Sequence, residues 1–454
     1  MESQSAQQLV FEGMVDRPVV VKSSAAMMSS DAGLISIRQF DQRWQFTRRL
    51  AECLDDTRSD PAHAIDEMVS QRLFGIIAGY EDCNDHDDLR GDPVFKILAG
   101  RQPTDDELAS QPTLSRFENS ITPSMLQRLI DFNITTGIER LKMHHDGAVP
   151  DEIILDIDPT DDATHGRQQL SLFHGFYKQH QYLPQIISEP TTRHVFLAWL
   201  RPGTAHPSLG ADDDLMRVVS ELRQAQANVA IHVRGDCGFG LPKMYDICEK
   251  NGLSYTFGIA SNARLKVLAE ALMQRAVDGY NESGTKQRLF THFEYQADSW
   301  PHARTVVAKA ECQAAGTNLR FVVTSLDVST DDQAQQVYDD YIQRGESEQR
   351  NDELKNGLSM DRLSCHRLKA NFWRLLLHVA AYNLLNAFRD SPETPAELRR
   401  AQPQSWRCRV IKVAARITES SRRIVVELSS SWPHWTLYQA ISNRASTGLI
   451  PAPG

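Results

Sequence analysis

Apolar residues recur at helical spacing through the first third of the chain. A helix is predicted to begin at Asp60-Pro61 and to end at Gly79, since aspartate and proline favour helix starts and glycine favours helix ends. Its apolar face comprises Ile65, Met68, Val69, Leu73, Ile76 and Ile77. A second helix is predicted from Thr122-Pro123 onward. The pattern thus predicts a helical region up to about residue 146.

The pattern changes near Gly147, where short apolar runs typical of β-strands begin. These runs cover residues 153–158, 169–177, 194–200, 228–236 and 255–259, with helical patterns at 212–226 and 242–251. A second β-rich block covers 288–324, and helices are predicted at 331–355 and 364–388. Strands followed by helix–strand alternation indicate an α/β fold with a mixed sheet.

Four regions follow from this pattern. We predict a loose tail over 1–34, a helical N-terminal domain over 35–146, an α/β core over 147–388, and a basic C-terminal region over 389–454. No stretch is long and apolar enough to span a bilayer, and the first ten residues lack the pattern of a secretory signal. We therefore expect a cytoplasmic protein with no membrane partner.

Composition and charge narrow the function classes. The seven cysteines include no C-x-x-C pair, which argues against a disulfide framework and a zinc finger. The net charge of −10 argues against nucleic acid as a partner, but the charge is uneven. Residues 79–110 hold nine acids and three bases, whereas 389–454 hold ten bases and five acids. A local basic surface therefore keeps nucleic acid open as a partner.

Acids at the ends of two predicted strands are the first candidates for chemistry. Asp156 and Asp158 end the run at 153–158, and alternation along a strand places both on one face. Asp236 ends the run at 228–236. Buried acids are costly unless they are paired or bind metal. The alternative for each is a polar turn residue with no chemical role.

A polar stripe on the predicted helix 331–355 supplies the third acid. Tyr341, Arg344, Glu348 and Lys355 recur at helical spacing. A solvated helix face is the ordinary explanation of such a stripe. Two strand-end aspartates and Glu348 could instead hold two Mg²⁺ (or Mn²⁺) ions. Two such ions can stabilise both the entering and the leaving oxygen of an in-line phosphoryl transfer. Tyr341, Arg344 and Lys355 would then position DNA phosphates.

Three blocks of motifs resemble the insertion-sequence DDE transposases with a YREK signature, DDE transposase group 1. Tyr341, Arg344, Glu348 and Lys355 match Y-x2-R-x3-E-x6-K in full. Asp158-Pro159-Thr160 fits the D-x-T motif of the first acid, with Asp156 as the possible alternative first acid. Arg234, Asp236 and Phe239 fit R-x-D-x-x-F. The segments 79–93 and 111–119 are also similar to that group.

The resemblance implies an RNase H-like core with a β-rich insertion, here at about 263–330, and a DNA-binding N-terminal domain. It assigns Asp158, Asp236 and Glu348 as catalytic residues and metal ligands. The implied activity is cut-and-paste transposition, with terminal inverted repeats and target DNA as partners and a homodimer on paired ends. The implied setting is the nucleoid of a prokaryotic cytoplasm.

Two other functions compete with this interpretation. Asp156-Ile-Asp158-Pro-Thr160 also resembles the D-x-D-x-T motif of haloacid dehalogenase-like phosphatases, in which Asp156 would be the nucleophile. That interpretation leaves the residues from Tyr341 to Lys355 unexplained. The second competitor is a catalytically silent DNA-binding relic, although all three acids are present.

Overall fold

The computed structural model describes residues 8–390 and 394–445. The first seven residues of the predicted tail, and residues 391–393 and 446–454 of the predicted C-terminal region, lie outside the described residues. The fold is mixed α/β, as the sequence predicts. The boundaries of the four predicted regions stay predictions.

Three short strands precede a run of helices. The elements are β1 (Gln8–Phe11), β2 (Val19–Lys22), β3 (Met27–Ser29), α1 (Leu34–Trp44), α2 (Phe46–Glu52), α3 (Ile65–Ala78), α4 (Asp85–Leu89), α5 (Pro93–Leu98), α6 (Gln111–Ser120) and α7 (Pro123–His144). The predicted helix start at Asp60 is wrong, because α3 begins at Ile65 and Asp60 has a left-handed φ of 48°. Gly79 ends α3 at a φ of 95°, and Thr122 caps α7, both as predicted.

The central elements build most of one large sheet. They are β4 (Glu152–Pro159), β5 (Asp162–Ala163), β6 (Leu172–His174), β7 (Gln179–Tyr182), β8 (Gln185–Ser188), β9 (Val195–Trp199), α8 (Ala211–Ala225), β10 (Ala230–Gly235), α9 (Pro242–Lys250) and β11 (Ser254–Ile259). β10 lies between β4 and β11 and runs parallel to both, while β8 and β9 are antiparallel additions beyond β4. The strands β5, β7 and β6 form a separate small sheet.

The second β-rich block extends the large sheet. After α10 (Ala263–Leu268) and α11 (Glu270–Ser283), the strands β12 (Gln287–Tyr295), β13 (Arg304–Gln313) and β14 (Gly316–Thr324) form an antiparallel meander. β14 pairs with β11, which gives the eight-strand order β12-β13-β14-β11-β10-β4-β8-β9. The predicted insertion is thus continuous with the sheet that carries the candidate acids.

The remaining elements return to the N-terminal helices. They are α12 (Asp331–Ile342), α13 (Gly345–Asp352), a π-helical segment (Glu353–Gly357), α14 (Leu368–Arg389), α15 (Ala396–Arg399), α16 (Pro403–Trp406), a second π-helical segment (Arg407–Ile411), β15 (Ala415–Glu419), β16 (Ile424–Leu428) and α17 (Trp435–Ala445). β3 pairs with β15, so residues before α1 and after α16 meet in one small sheet.

Helix α14 is the centre of the hydrophobic core. Every residue from Ala370 to Arg389 is buried, and the helix contacts α3, α6, α7 and β9. A helix that is apolar almost all round needs such enclosure. It packs both on strand β9 of the sheet and on the N-terminal helices.

A buried ion-pair network ties these helices together. Glu118 of α6 has no exposed surface, and its carboxylate accepts hydrogen bonds from Arg72 Nε of α3 at 3.0 Å and Arg374 Nε of α14 at 2.7 Å. Burial acts to raise the pKa of Glu118, but the two guanidinium groups outweigh it and the pKa is lowered. The network therefore depends on a charged Glu118.

We expect Glu118→Gln to lower the free energy of unfolding by about 3–5 kcal/mol, because it leaves two buried cations without their carboxylate. Urea denaturation followed by circular dichroism measures the loss. Arg116→Gln, at an exposed position of the same helix, is the matched control and should change stability by less than about 0.5 kcal/mol. Equal stability of the two variants would contradict a structural role for the network.

Candidate active site

One cleft lies at the carboxyl ends of the parallel strands β4 and β10. Asp158 is the penultimate residue of β4, and Asp236 directly follows β10. Glu348 of α13 lines the same cleft, which has a volume of about 380 Å³. The other lining residues are Pro159, Thr160, Asp161, Tyr177, Arg344, Asn351, Asp352, Lys355 and Asn356. Three acids from distant parts of the chain therefore face one space.

Asp158 is buried within a set of polar donors. Its Oδ1 accepts a hydrogen bond from Arg344 Nη1 at 3.2 Å, and its Oδ2 accepts from Ser347 Oγ and Asn351 Nδ2, both at 3.1 Å. Burial raises the pKa of Asp158 to about 7, with Arg344 opposing the rise and Asp236 and Glu348 adding to it. A cation in the cleft would relieve this cost by favouring the charged carboxylate.

Asp156 lies on the same face of β4 as Asp158 but does not line the cleft. It has no exposed surface, and its carboxylate is paired with Arg234 Nε at 2.7 Å and Arg350 Nη2 at 2.5 Å. Both of its oxygens are therefore held by buried guanidinium groups. This arrangement argues against the phosphatase alternative, which needs Asp156 as an accessible nucleophile.

Asp236 is positioned by a tight turn against the neighbouring strand. Its Oδ1 accepts a hydrogen bond from the Gly238 amide at 2.8 Å, and Phe239 anchors the turn in the core. A Cβ atom on Gly258 of β11 would lie 2.9 Å from the Cys237 amide nitrogen. Only glycine at position 258 therefore lets the turn approach β11 this closely.

The prediction of one continuous helix over 331–355 is wrong. The Arg344 amide donates to the Tyr341 carbonyl at 3.0 Å, a tight i→i+3 turn that ends α12 before α13 begins. The π-helical segment then adds a residue to the turn that carries Lys355. Tyr341, Glu348 and Lys355 therefore lie on three successive helical segments, and Arg344 lies in the turn between the first two.

Three of the four residues of the stripe, Arg344, Glu348 and Lys355, still line the cleft. Arg344 stacks over the Tyr341 ring at 5.6 Å and lies between Asp158 and Glu348, whose Oε1 is 4.0 Å from Arg344 Nη2. Lys355 Nζ pairs with Asp161 at 2.9 Å. The Glu348 side chain is 75% exposed, which leaves its carboxylate the most accessible of the three acids. Tyr341 does not line the cleft itself.

The carboxylates of the cleft suit a divalent cation with oxygen ligands, although they do not lie close enough together to coordinate one in this conformation. Within residues 8–390 and 394–445, no group of three or more His, Cys, Asp or Glu side chains lies close enough to hold a metal ion. Asp158, Asp236 and Glu348 nevertheless face one cleft and supply only carboxylate oxygens, the ligands Mg²⁺ prefers. The exposed Glu348 has the freedom to turn towards the aspartates.

Several residues of the site are not among those predicted from the sequence. Ser347 and Asn351 follow Arg344 at i+3 and i+7, so they continue the polar stripe and could have been found by the same spacing. Arg350 is the partner of Asp156, yet it lies on another face of α13 and gives no periodic signal. Tyr177 gives no signal of its own, because the run over 169–177 predicts a strand, whereas the structure has the short strand β6 followed by a turn.

Comparison with known families gives one match over nearly the whole chain. The family model described as transposase DDE domain group 1 matches residues 11–447. No curated protein matches the chain at a significant level. Among the described residues, no helix combines the length and apolar character needed to cross a membrane.

Proposed function

Because the chain belongs to the transposase DDE domain group 1 family, we propose that it is a cut-and-paste DNA transposase. It would cleave and join the ends of an insertion sequence by metal-dependent phosphoryl transfer. The observation that carries this proposal is the cleft shared by Asp158, Asp236 and Glu348. Its setting would be the prokaryotic cytoplasm, in association with the nucleoid.

An RNase H-like core is part of the proposal. The support is a mixed sheet in which β4 has a parallel neighbour on one side and an antiparallel neighbour on the other. The first two acids stand at the carboxyl ends of adjacent parallel strands, β4 and β10. The third comes from a helix late in the chain, after the meander that extends the sheet.

Asp158, Asp236 and Glu348 would hold two Mg²⁺ or Mn²⁺ ions. When bound, two such ions stabilise the entering and the leaving oxygen of an in-line displacement. The chain itself would orient the scissile strand. Arg344 lines the cleft beside Asp158, so its guanidinium lies where it would contact a DNA phosphate. Lys355 would leave its ion pair with Asp161 and contact a second phosphate of the DNA.

A cleavage assay on the DNA that flanks the coding region on both sides tests this function. We expect labelled flank–element duplexes to be nicked at the boundary of the terminal inverted repeats with Mg²⁺ and not with EDTA. Binding without nicking would support the silent-relic alternative. Hydrolysis of p-nitrophenyl phosphate without nicking of DNA would support the phosphatase alternative.

Arg344→Ala should reduce strand joining by about 100-fold while affinity for the DNA ends falls less than tenfold. The reason is positional, since misplacing a reacting group by about 1 Å costs a rate factor of that order. A gel that resolves nicked, fully cleaved and joined products measures each step. Arg362→Ala, at an exposed site, is the control. Equal loss of every step together with loss of metal binding would place Arg344 in a structural role instead.

DNA binding by the N-terminal helices and the basic C-terminal region is proposed to use exposed cations only. Arg416, Arg422 and Arg423 are exposed on the β15–β16 hairpin. Arg407 is buried instead, and its guanidinium donates to the carbonyls of Ile76 and Ile77. Lys412 pairs with Asp31 at 2.6 Å. A homodimer would bring two such surfaces to paired ends.

Salt dependence separates these two groups of basic residues. The double variant Arg422→Ala/Arg423→Ala should make the slope of log Kd against log salt shallower by about 1.8, since each phosphate contact contributes about 0.9. Arg407→Ala should leave the slope unchanged and lower the thermal stability. Fluorescence anisotropy across a salt series measures the slopes. An unchanged slope in the double variant would show that Arg422 and Arg423 do not contact DNA phosphates, and it would assign those contacts to the N-terminal helices.

A further inference from the structure

A hairpin beside the cleft exposes an unusual number of aromatic rings. This aromatic hairpin comprises β6, β7 and the turn between them, residues 172–182. The exposed fractions are 54% for Phe173, 82% for Phe176 and 38% for Tyr177. Large exposed aromatic rings that are grouped on one element are typical of a binding surface, whereas single exposed rings are common on any protein.

The rings are held in a defined arrangement before any ligand arrives. Phe176 and Tyr177 lie edge to face with ring centroids 5.0 Å apart, and His174 lies 5.0 Å from Tyr177. The Phe176 amide donates to His174 Nδ1 at 3.3 Å, and the Lys178 amide donates to the His174 carbonyl at 2.8 Å. The turn is thus fixed by hydrogen bonds, which lowers the entropy lost on binding.

The charge of the surrounding segment fits a polyanion. Residues 163–182 contain no Asp or Glu, in a chain with a net charge of −10. They contain Arg167, Lys178 and three histidines. Both cations are exposed, and neither is paired with a carboxylate of the described residues. Their charge is therefore available to a ligand.

The aromatic hairpin is continuous with the catalytic cleft. Tyr177 lines the cleft together with Asp158 and Asp236. Burial raises the pKa of Tyr177, and the charges of Asp161, Asp236 and Asp158 raise it further, so its phenol lies within their field. A DNA strand whose scissile phosphate sits at Asp158 and Asp236 would bring its neighbouring nucleotides onto the hairpin.

We propose that the aromatic hairpin binds unpaired nucleobases of the DNA end next to the scissile phosphate. Phe176 and Phe173 would stack on the bases, and Arg167 and Lys178 would contact the flanking phosphates. Stacking on aromatic rings tolerates any base sequence and needs bases free of the duplex. The inference rests on the proposed function, since it takes the position of the DNA from the three acids.

The test compares two fluorescein-labelled DNA ends from the flank–element boundary. One is fully paired, and the other carries three mismatched pairs at the cleavage position. We expect the full-length protein to bind the mismatched end about tenfold more tightly by fluorescence anisotropy. Phe176→Ala should lose this preference and keep its affinity for the paired end, whereas Phe176→Tyr should retain the preference because its ring can still stack.

Val267→Ala is the matched control, because Val267 is 69% exposed on α10, outside the cleft and the hairpin. It should behave as the unmodified protein. A preference for the mismatched end that persists in Phe176→Ala would overturn the inference. If the unmodified protein nicks ends with Mg²⁺ while that preference persists, only the inference fails. If it prefers mismatched ends yet never nicks DNA, the hairpin stands and the proposed catalytic function fails.

Discussion

Asp158→Asn should abolish cleavage of the DNA ends and, in the same molecule, stabilise the metal-free fold. Cleavage should fall by at least about 100-fold, because a displaced reacting group alone costs that much. The stability gain follows from the pKa of about 7, which lies above the usual 3.8 of this carboxyl. A raised folded-state pKa means that ionisation opposes folding. The penalty is absent below pH 3.8, grows up to about pH 7 and is constant above it.

The size and pH dependence of this gain can be measured by thermal unfolding. The upper limit is on the order of 4 kcal/mol, at about 1.4 kcal/mol for each pKa unit. The melting temperature of Asp158→Asn should exceed that of the unmodified protein more at pH 8 than at pH 5. Mg²⁺ should stabilise the unmodified protein and not the variant.

Glu348→Gln is the matched control, because its carboxylate is 75% exposed. It should lose cleavage with little change in melting temperature. An Asp158→Asn variant that nicks DNA at the unmodified rate would remove Asp158 from the catalytic set. A variant that is inactive but less stable at pH 8 would contradict the electrostatic account of its burial.

The sequence could predict which face of β4 carries the acids, but not which acid faces the cleft. Strand alternation places Asp156 and Asp158 together, as the structure confirms. Their different environments depend on Arg350 and Ser347, which lie about 190 residues further along the chain. No local pattern encodes a pairing between such distant segments.

Local periodicity predicted the strands of the central sheet well and the connection between α12 and α13 poorly. Strands β4, β9, β10 and β11 match the alternating or apolar runs within one or two residues. The stripe from Tyr341 to Lys355 favours one straight helix. The structure instead has a tight turn at Arg344, whose side chain donates a hydrogen bond to Asp158. The helical pattern thus breaks at the candidate site, where Arg344 pairs with Asp158.

The extension of the large sheet by β12–β14 could not be predicted from local sequence patterns either. The β-rich block over 288–324 is evident from its residues, and the structure confirms its strands. It is attached through the antiparallel pairing of β11 with β14, where the hydroxyl oxygens of Thr256 and Thr324 are 3.1 Å apart. Pairing between distant strands leaves no periodic signal, so the sequence could not tell an extension of the sheet from a separate domain.

Asp156→Asn should lower the stability of the fold rather than remove a group that takes part in the chemistry. Asp156 is the only carboxylate that contacts both Arg234 and Arg350 among the described residues, and its loss leaves two buried guanidinium groups without an anion. Breaking a buried ion pair by removing one partner costs about 3–5 kcal/mol. Urea denaturation should show this loss, whereas Glu152→Gln, at an exposed position of the same strand, should change stability by less than about 0.5 kcal/mol. An Asp156→Asn variant with normal stability and no cleavage would make Asp156 the first catalytic acid and would displace Asp158 from that role.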